Sequence, residues 1–191
     1  MLKGAGWTDK RADRFLYNKD GTKLGFVLMY PSSDSLRKEV ALATHSDLAK
    51  IGVDAQVQGF GWDEIRKRIV TDANVFGMGV PYDPDFDLYK FHSKFIEDDD
   101  YFSNVAHIRN KDIDAALEAE HTETDPTKRN EAMKKFQAAL REDASMLYTV
   151  RLKHVVVVSN RITGVDPQFE PHAHGVSRGT FWNLEKWSFA A

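Results

Sequence analysis

Lys23–Ile69, KLGFVLMYPSSDSLRKEVALATHSDLAKIGVDAQVQGFGWDEIRKRI, decides the fold. Leu24–Tyr30 is a near-continuous apolar run of strand length, the pattern of a strand buried on both faces of a parallel sheet. Pro31 stops it, and Ser32, Ser33 and Asp34 are candidate N-caps for the helix that follows. Leu36, Val40, Ala43, Leu48 and Ile51 fall on one broad arc at helical spacing and are predicted to face inward. Gly52 stands where a helix C-cap needs positive φ, and Val53–Phe60 returns as a strand with Val53, Ala55 and Val57 on alternate positions. Two strands joined through a helix of that length are parallel with a right-handed crossover. The fold class is therefore α/β, a mixed sheet with a βαβ core flanked by helices.

Outward from that core, the signals are mostly local. Residues 1–6 read as the last turn of a helix whose beginning is missing, with Gly6 as its cap and Trp7 as an anchor. Asn18–Gly21 is a hairpin turn between Phe15–Tyr17 and the strand from Leu24. Trp62–Val70 is predicted as a short helix with Ile65, Ile69 and Val70 inward, and Val75–Val80 as a third strand. Trp62 itself reads as a core or rim anchor. The loop Pro81–Asp85 follows that strand, where open α/β sheets bind ligands; it serves equally as a rigid turn into a helix over Phe86–Ser93. Asn110 caps a helix carrying Ile113, Ala116 and Leu117. Asp125-Pro126 opens another, with Met133, Phe136 and Leu140 inward and an end near Asp143. Met146–Leu152 and Val155–Val158 are strand-like, the second as a fully buried strand. From Asn160 the chain turns irregular, and its aromatic end (Trp182, Trp187, Phe189) needs something to pack on.

Composition bounds the function. The 191 residues suit one domain, or one with a trailing segment; 42% hydrophobic content supports a core, and 29% charged residues argue against disorder. A net charge of −3 gives no electrostatic case for nucleic acid, and no stretch has the apolar length of a bilayer span. The N-terminus lacks the apolar region of a signal peptide, which leaves a cytosolic protein, a mature secreted one or an excised fragment; the truncated opening helix favours the fragment. With no cysteine there are no disulfides or thiolate metal sites.

Catalytic motifs are missing: there is no phosphate loop, no Gly-x-Ser-x-Gly elbow and no His-Glu-x-x-His helix. The acidic run Glu97–Asp100 lacks the alternation and glycine of a calcium loop and reads as solvated. His172 and His174 could offer imidazoles to zinc or nickel, and Asp83 with Asp85 could form an acid pair. Together they define the alternative of a small metal-dependent hydrolase. Each also suits ordinary turn or loop chemistry. A third reading is an adaptor domain whose terminal aromatics bind a partner chain.

Taken in order, several segments carry a likeness. They are Leu2–Trp7, Asn18–Gly21 with its strand, Ala49–Val53 followed by a strand and Trp62, and Phe76–Gly79 leading to Asp83-Pro84. Asn110–Asp114, Asp125–Arg129 and Phe136–Asp143 complete the series. This order resembles the C-terminal lobe of the oligopeptide/dipeptide/nickel-type solute-binding proteins of bacterial ABC importers. The resemblance implies a type II periplasmic-binding-protein-like lobe over residues 1–159, and a tail, 160–191, crossing back to a missing N-terminal lobe. It implies no enzyme activity, no cofactor, and a periplasmic or extracytoplasmic binding protein roughly twice this length or more. Its partners would be a peptide or other small solute, a membrane-embedded ABC permease and the missing lobe, with no nucleic acid. The implied ligand-binding residues are Gly79, Val80, Pro81, Tyr82, Asp83, Arg151 and His154, with Arg151 able to hold a carboxylate or phosphate bidentately. Peptide-binding members present a Trp and an Asp after the glycine-rich strand. Here Gly77 and Val80 fall near those positions, so no paired Asp is offered to a peptide's α-amino group.

Overall fold

The structure is a computed structural model that describes residues 1–77, 85, 87–96, 103–150, 155, 157–166 and 181–190. Contacts divide the chain into two compact units, residues 1–77 with 98–107 and residues 78–97 with 108–191.

The first unit opens with a 3-10 turn, Leu2–Ala5, closed by Gly6 at φ +90°. Asp9–Lys10 (β1) pairs antiparallel with Leu16–Tyr17 (β2). The predicted turn carries the chain onward from there. Asn18 Oδ1 accepts the N–H groups of Asp20 and Thr22, and an antiparallel bridge joins Tyr17 to Lys23.

Gly25–Pro31 (β3), Ser35–Lys50 (α1) and Asp54–Phe60 (β4) form the βαβ core, with β3 and β4 parallel from Gly25↔Asp54 to Pro31↔Phe60. Of the three candidate caps Asp34 serves, accepting the Arg37 N–H at 2.9 Å. Gly52 takes φ +88° immediately after α1, and Leu16 lies so close that any Cβ would collide with it. Trp62–Arg68 (α2) then leads to Ala73–Asn74 (β5), parallel to β3 on its other edge. The sheet order is β4-β3-β5, parallel throughout; antiparallel pairing sits in separate ribbons.

Three details of this unit differ from expectation. The inward side of α1 is Val40, Ala41, Thr44, His45 and Leu48; Leu36, Ala43 and Ile51 are exposed. His45 is drawn in because its ring Nδ1 meets the Ala55 carbonyl at 2.7 Å, so a polar residue occupies the buried side. Val70 is exposed, and α2 buries only Ile65. The third strand begins two residues earlier than Val75 and, among the described residues, pairs through Ala73 and Asn74, with the Val75 N–H reaching Met29 O at 2.9 Å.

In the second unit, Asp87–Phe91 (α3), Lys111–Thr122 (α4) and Pro126–Asp143 (α5) pack together. Their caps are the predicted ones: Asn110 Oδ1 accepts from Asp112 and Ile113, and Asp125 Oδ1 from Thr127 and Lys128. Ile113, Ala116, Leu117, Ala132, Phe136 and Leu140 are buried, and the Phe91 and Phe136 rings lie 5.2 Å apart. Near the C-terminus, Ile162–Thr163 (β6) pairs antiparallel with Ser188–Phe189 (β7). Asn183, buried, ties this end together: its Nδ2 donates to Gly164 O and its Oδ1 accepts from Trp187 Nε1.

The expectation of a buried strand at Val155–Val158 is overturned for its described residues. Val155 and Val157 are 81% and 91% exposed and belong to no strand. A run of valines supplies strand propensity, but burial depends on a facing partner, and none of the described residues covers these two.

Candidate functional site

Parallel strands that leave in opposite directions from a central one create a crevice at their carboxyl ends. Here β3 is followed by α1 and β4 on one side, and β5 returns on the other, so the switch point lies between the ends of β3 and β5. Three described features gather there. Asp34 caps α1 and also pairs with the Arg37 guanidinium. The Arg37 backbone N–H and guanidinium hold the Asp34 carboxyl below the usual carboxylate range. The guanidinium lies 5.6 Å from the Trp62 ring centroid, at the start of α2. Gly77 completes the group, since a Cβ there would stand 2.9 Å from Arg37 Nη2. Glycine at 77 therefore lets the chain leaving β5 pass directly against the arginine. Arg37 Nε is buried with no hydrogen-bond partner among the described residues.

The segment leaving this point runs into the loop nominated from sequence. Gly79, Val80, Pro81, Tyr82, Asp83, Arg151 and His154 all lie outside the described residues, as do His172 and His174 and the acidic run 97–100. Of the hydrolase set only Asp85 is described, and it pairs with His121 Nδ1 at the end of α4. No motif or spacing pointed to that partner, 36 residues away. Among the described residues no group of three His, Asp or Glu side chains could hold a metal ion.

Two further polar clusters in the second unit are structural. Buried His92 uses Nδ1 to accept the Lys94 N–H at 3.0 Å, which leaves Nε2 as the donor to Glu118 Oε1 at 3.1 Å. Asp114 accepts both the N–H and the Oγ–H of Ser93. The serine hydroxyl thus faces an acceptor that anchors it, and the imidazole is committed elsewhere, so these residues form no nucleophile–base pair. Glu120, whose side chain is 1% exposed, receives Arg129 Nε at 2.9 Å and Nη2 on the same oxygen, leaving Oε2 buried and unbonded among the described residues. Burial pushes the nearby Asp87 carboxyl up, Lys90 opposing and Glu120 reinforcing the shift. No described helix is long and apolar enough to cross a membrane.

A βαβ core with sheet order 2-1-3, followed by a helical unit, is the arrangement of a lobe of the type II periplasmic-binding-protein-like fold, and solved structures of that kind match it along its length. The relatives of this chain are solute-binding proteins of the oligopeptide/nickel type that serve ABC importers, as the order of its segments implies. Two of them are named for binding oligopeptides and a D,D-dipeptide. Protein XP55 of Streptomyces lividans is 35% identical over 178 residues, 93% of this chain and 32% of that protein. The oligopeptide-binding protein AppA of Bacillus subtilis is 24% identical over 196 residues, all of this chain and 34% of AppA. Its structure in complex with a nonapeptide shares the fold at TM-score 0.68. NikZ from Campylobacter jejuni, solved in complex with Ni(L-His), matches 98% of this chain and 37% of its own at TM-score 0.75 and 27% identity. No family model matches the sequence. The chain spans about a third of the length of the relatives it matches.

Proposed function

We propose that this chain is a lobe of an extracytoplasmic solute-binding protein that captures a peptide-like or other small solute and delivers it to a membrane-embedded ABC permease. The observation that carries this reading is the likeness to NikZ, which runs through 98% of the chain at 27% identity. Residues 1–159 would form the lobe, and 160–191 the segment returning to an N-terminal lobe. Capture works by hinge closure of two lobes, with no bond made or broken in the solute. The solute would rest on Gly79, Val80, Pro81, Tyr82, Asp83 and His154, with Arg151 supplying charge.

The neighbours' ligands set the range to test: a nonapeptide in AppA and an amino-acid nickel complex in NikZ. Titration calorimetry of the protein from the complete reading frame, against a peptide library and Ni(L-His), tests the reading. One of these is expected to bind, and Arg151→Ala to weaken a carboxylate-bearing ligand at least ~10-fold. The 191-residue chain alone is expected to bind weakly or not at all. Tight binding by this chain alone, or steady hydrolysis of a bound peptide, would overturn the proposal.

A further inference from the structure

Arg37 is hemmed in at the switch point of the first unit in a way that does not suit an arginine serving the fold alone. Asp34 pairs with its guanidinium, and the Trp62 ring centroid stands 5.6 Å away at the start of α2. The Gly77 backbone passes so close that a Cβ there would lie 2.9 Å from Nη2. The Arg37 side chain is 27% exposed, and its Nε is buried with no hydrogen-bond partner among the described residues. Arginines that brace other parts of the protein spend that donor. Arg68 gives Nε to Asp72 at 2.8 Å, and Arg129 gives Nε to Glu120 at 2.9 Å. Nor does α1 need the Arg37 side chain for its cap, since Asp34 accepts the Arg37 backbone N–H, which any residue but proline would supply. What the guanidinium does reach is the chain leaving β5. The ties of β5 to β3, at Ala73, Asn74 and the Val75 N–H, all lie upstream of Gly77.

We propose that Arg37 is a positioning residue for solute capture: its guanidinium, spread between Asp34, Trp62 and the Gly77 backbone, fixes where the chain leaves β5 for the crevice and does not itself touch the solute. The inference rests on the transport reading above, in which the solute meets the chain just after Gly77. A strand end already held in place has less freedom to lose when a ligand arrives, so its anchoring appears as affinity. A guanidinium suits the position because its flat face can lie on an indole while its edge donates to a carboxylate. A lysine ammonium is a compact charge that keeps the Asp34 pair but cannot span Trp62 and Gly77 as well. Glycine at 77 is the other half of the arrangement. A Cβ there meets the far end of a flexible side chain, so Gly77→Ala displaces the guanidinium and leaves the fold intact.

Arg37→Lys, Gly77→Ala and the two combined test this in the protein expressed from the complete reading frame containing this sequence, isotope-labelled at tryptophan and glycine for magnetic resonance. Gly77→Ala should move the Trp62 indole resonance in the same direction as Arg37→Lys does, although Trp62 begins α2 and Gly77 follows β5. In Arg37→Lys the Gly77 amide should lose order in relaxation measurements while the melting temperature stays near that of wild type. Titration calorimetry with Ni(L-His) and with a nonapeptide, the ligands of the NikZ and AppA structures, gives the functional readout. A probe that wild type binds should bind each single variant at least ~10-fold more weakly. The double variant should be no weaker than either, because once the guanidinium is gone a Cβ at 77 has nothing to displace. An arginine of purely structural use would instead lower the melting temperature and leave the affinity of the folded protein unchanged. Either of two results overturns the inference: a Trp62 resonance indifferent to Gly77→Ala with Gly77 still ordered in Arg37→Lys, or a probe held by both single variants as tightly as by wild type. The second leaves the transport reading standing. If wild type binds neither probe while Trp62 and Gly77 respond as expected, the transport reading loses its support and the hold of Arg37 on the strand end keeps its own.

Discussion

Removing Arg129 should expose how the second unit tolerates a buried acid. Glu120 is 1% exposed and Arg129 about a third exposed, and both guanidinium hydrogen bonds land on Glu120 Oε1. Oε2 already lacks a partner among the described residues, so the guanidinium is the charge that justifies burying this carboxylate. Breaking a buried pair from one side costs about 3–5 kcal/mol, because the remaining charge stays desolvated. Solvent at Arg129 screens part of that, which puts Arg129→Met near ~3 kcal/mol. For a unit of roughly a hundred residues each kcal/mol moves Tm by about 4 °C or more, so a fall of ~12 °C is expected. Glu120→Leu with Arg129→Met should recover most of the loss, since an apolar pair of similar volume carries no desolvated charge. Urea denaturation of wild type, both single variants and the double variant closes the cycle. Arg129 also makes other contacts, and the cycle removes them from the coupling term. A coupling energy below ~0.5 kcal/mol would refute the account of Glu120 as a carboxylate held in place by its arginine.

Gly164→Ala should loosen the C-terminal end. Its φ is +79°, and a Cβ would collide with the Lys186 carbonyl oxygen, so a red shift in Trp182 and Trp187 emission is expected; unchanged emission would argue against the β6–β7 pairing. Asp125→Ala removes the acceptor for the Thr127 and Lys128 N–H groups and should cost about 1 kcal/mol, read as a lower urea midpoint at unchanged slope. For Asp87 the folded carboxyl is raised from 3.8 by burial, so its stabilising proton is fully present below that value. The contribution disappears as pH rises through the higher folded value. Asp87→Asn should therefore be more stable than wild type near neutrality, with the advantage shrinking on acidification. A Tm difference that stays constant from about pH 4 to about pH 7 would contradict the burial argument.

The parts of this fold that were readable from sequence are those whose cause is local. Asp34, Asn110 and Asp125 are caps because a short acceptor side chain reaches the first free N–H groups wherever the rest of the protein lies. The βαβ order followed from run length and helix length, and the parallel register bore it out. The rotation of α1 did not follow. Apolar residues lie all round that helix, and His45 is turned inward by a carbonyl on β4, which periodicity cannot register. Val155 and Val157 fail as a buried strand for a related reason: propensity is a property of the residue, whereas burial belongs to whatever stands opposite. The pairing of Asp85 with His121 likewise joins residues whose spacing carries no recognisable period.

The uneven anchoring of the three parallel strands has a consequence for how such a lobe diversifies. β3 and β4 share seven paired positions, whereas β5 holds to β3 through two. A substitution in the βαβ core must be reconciled with a long ladder and the helix above it. One just beyond β5 meets a shorter ladder, though Val75 still packs on the core and Gly77 still passes against Arg37. The scaffold thus ties the start of the stretch leading into the crevice to fewer backbone partners than the βαβ frame. Structures solved in complex with a nonapeptide and with Ni(L-His) share this frame.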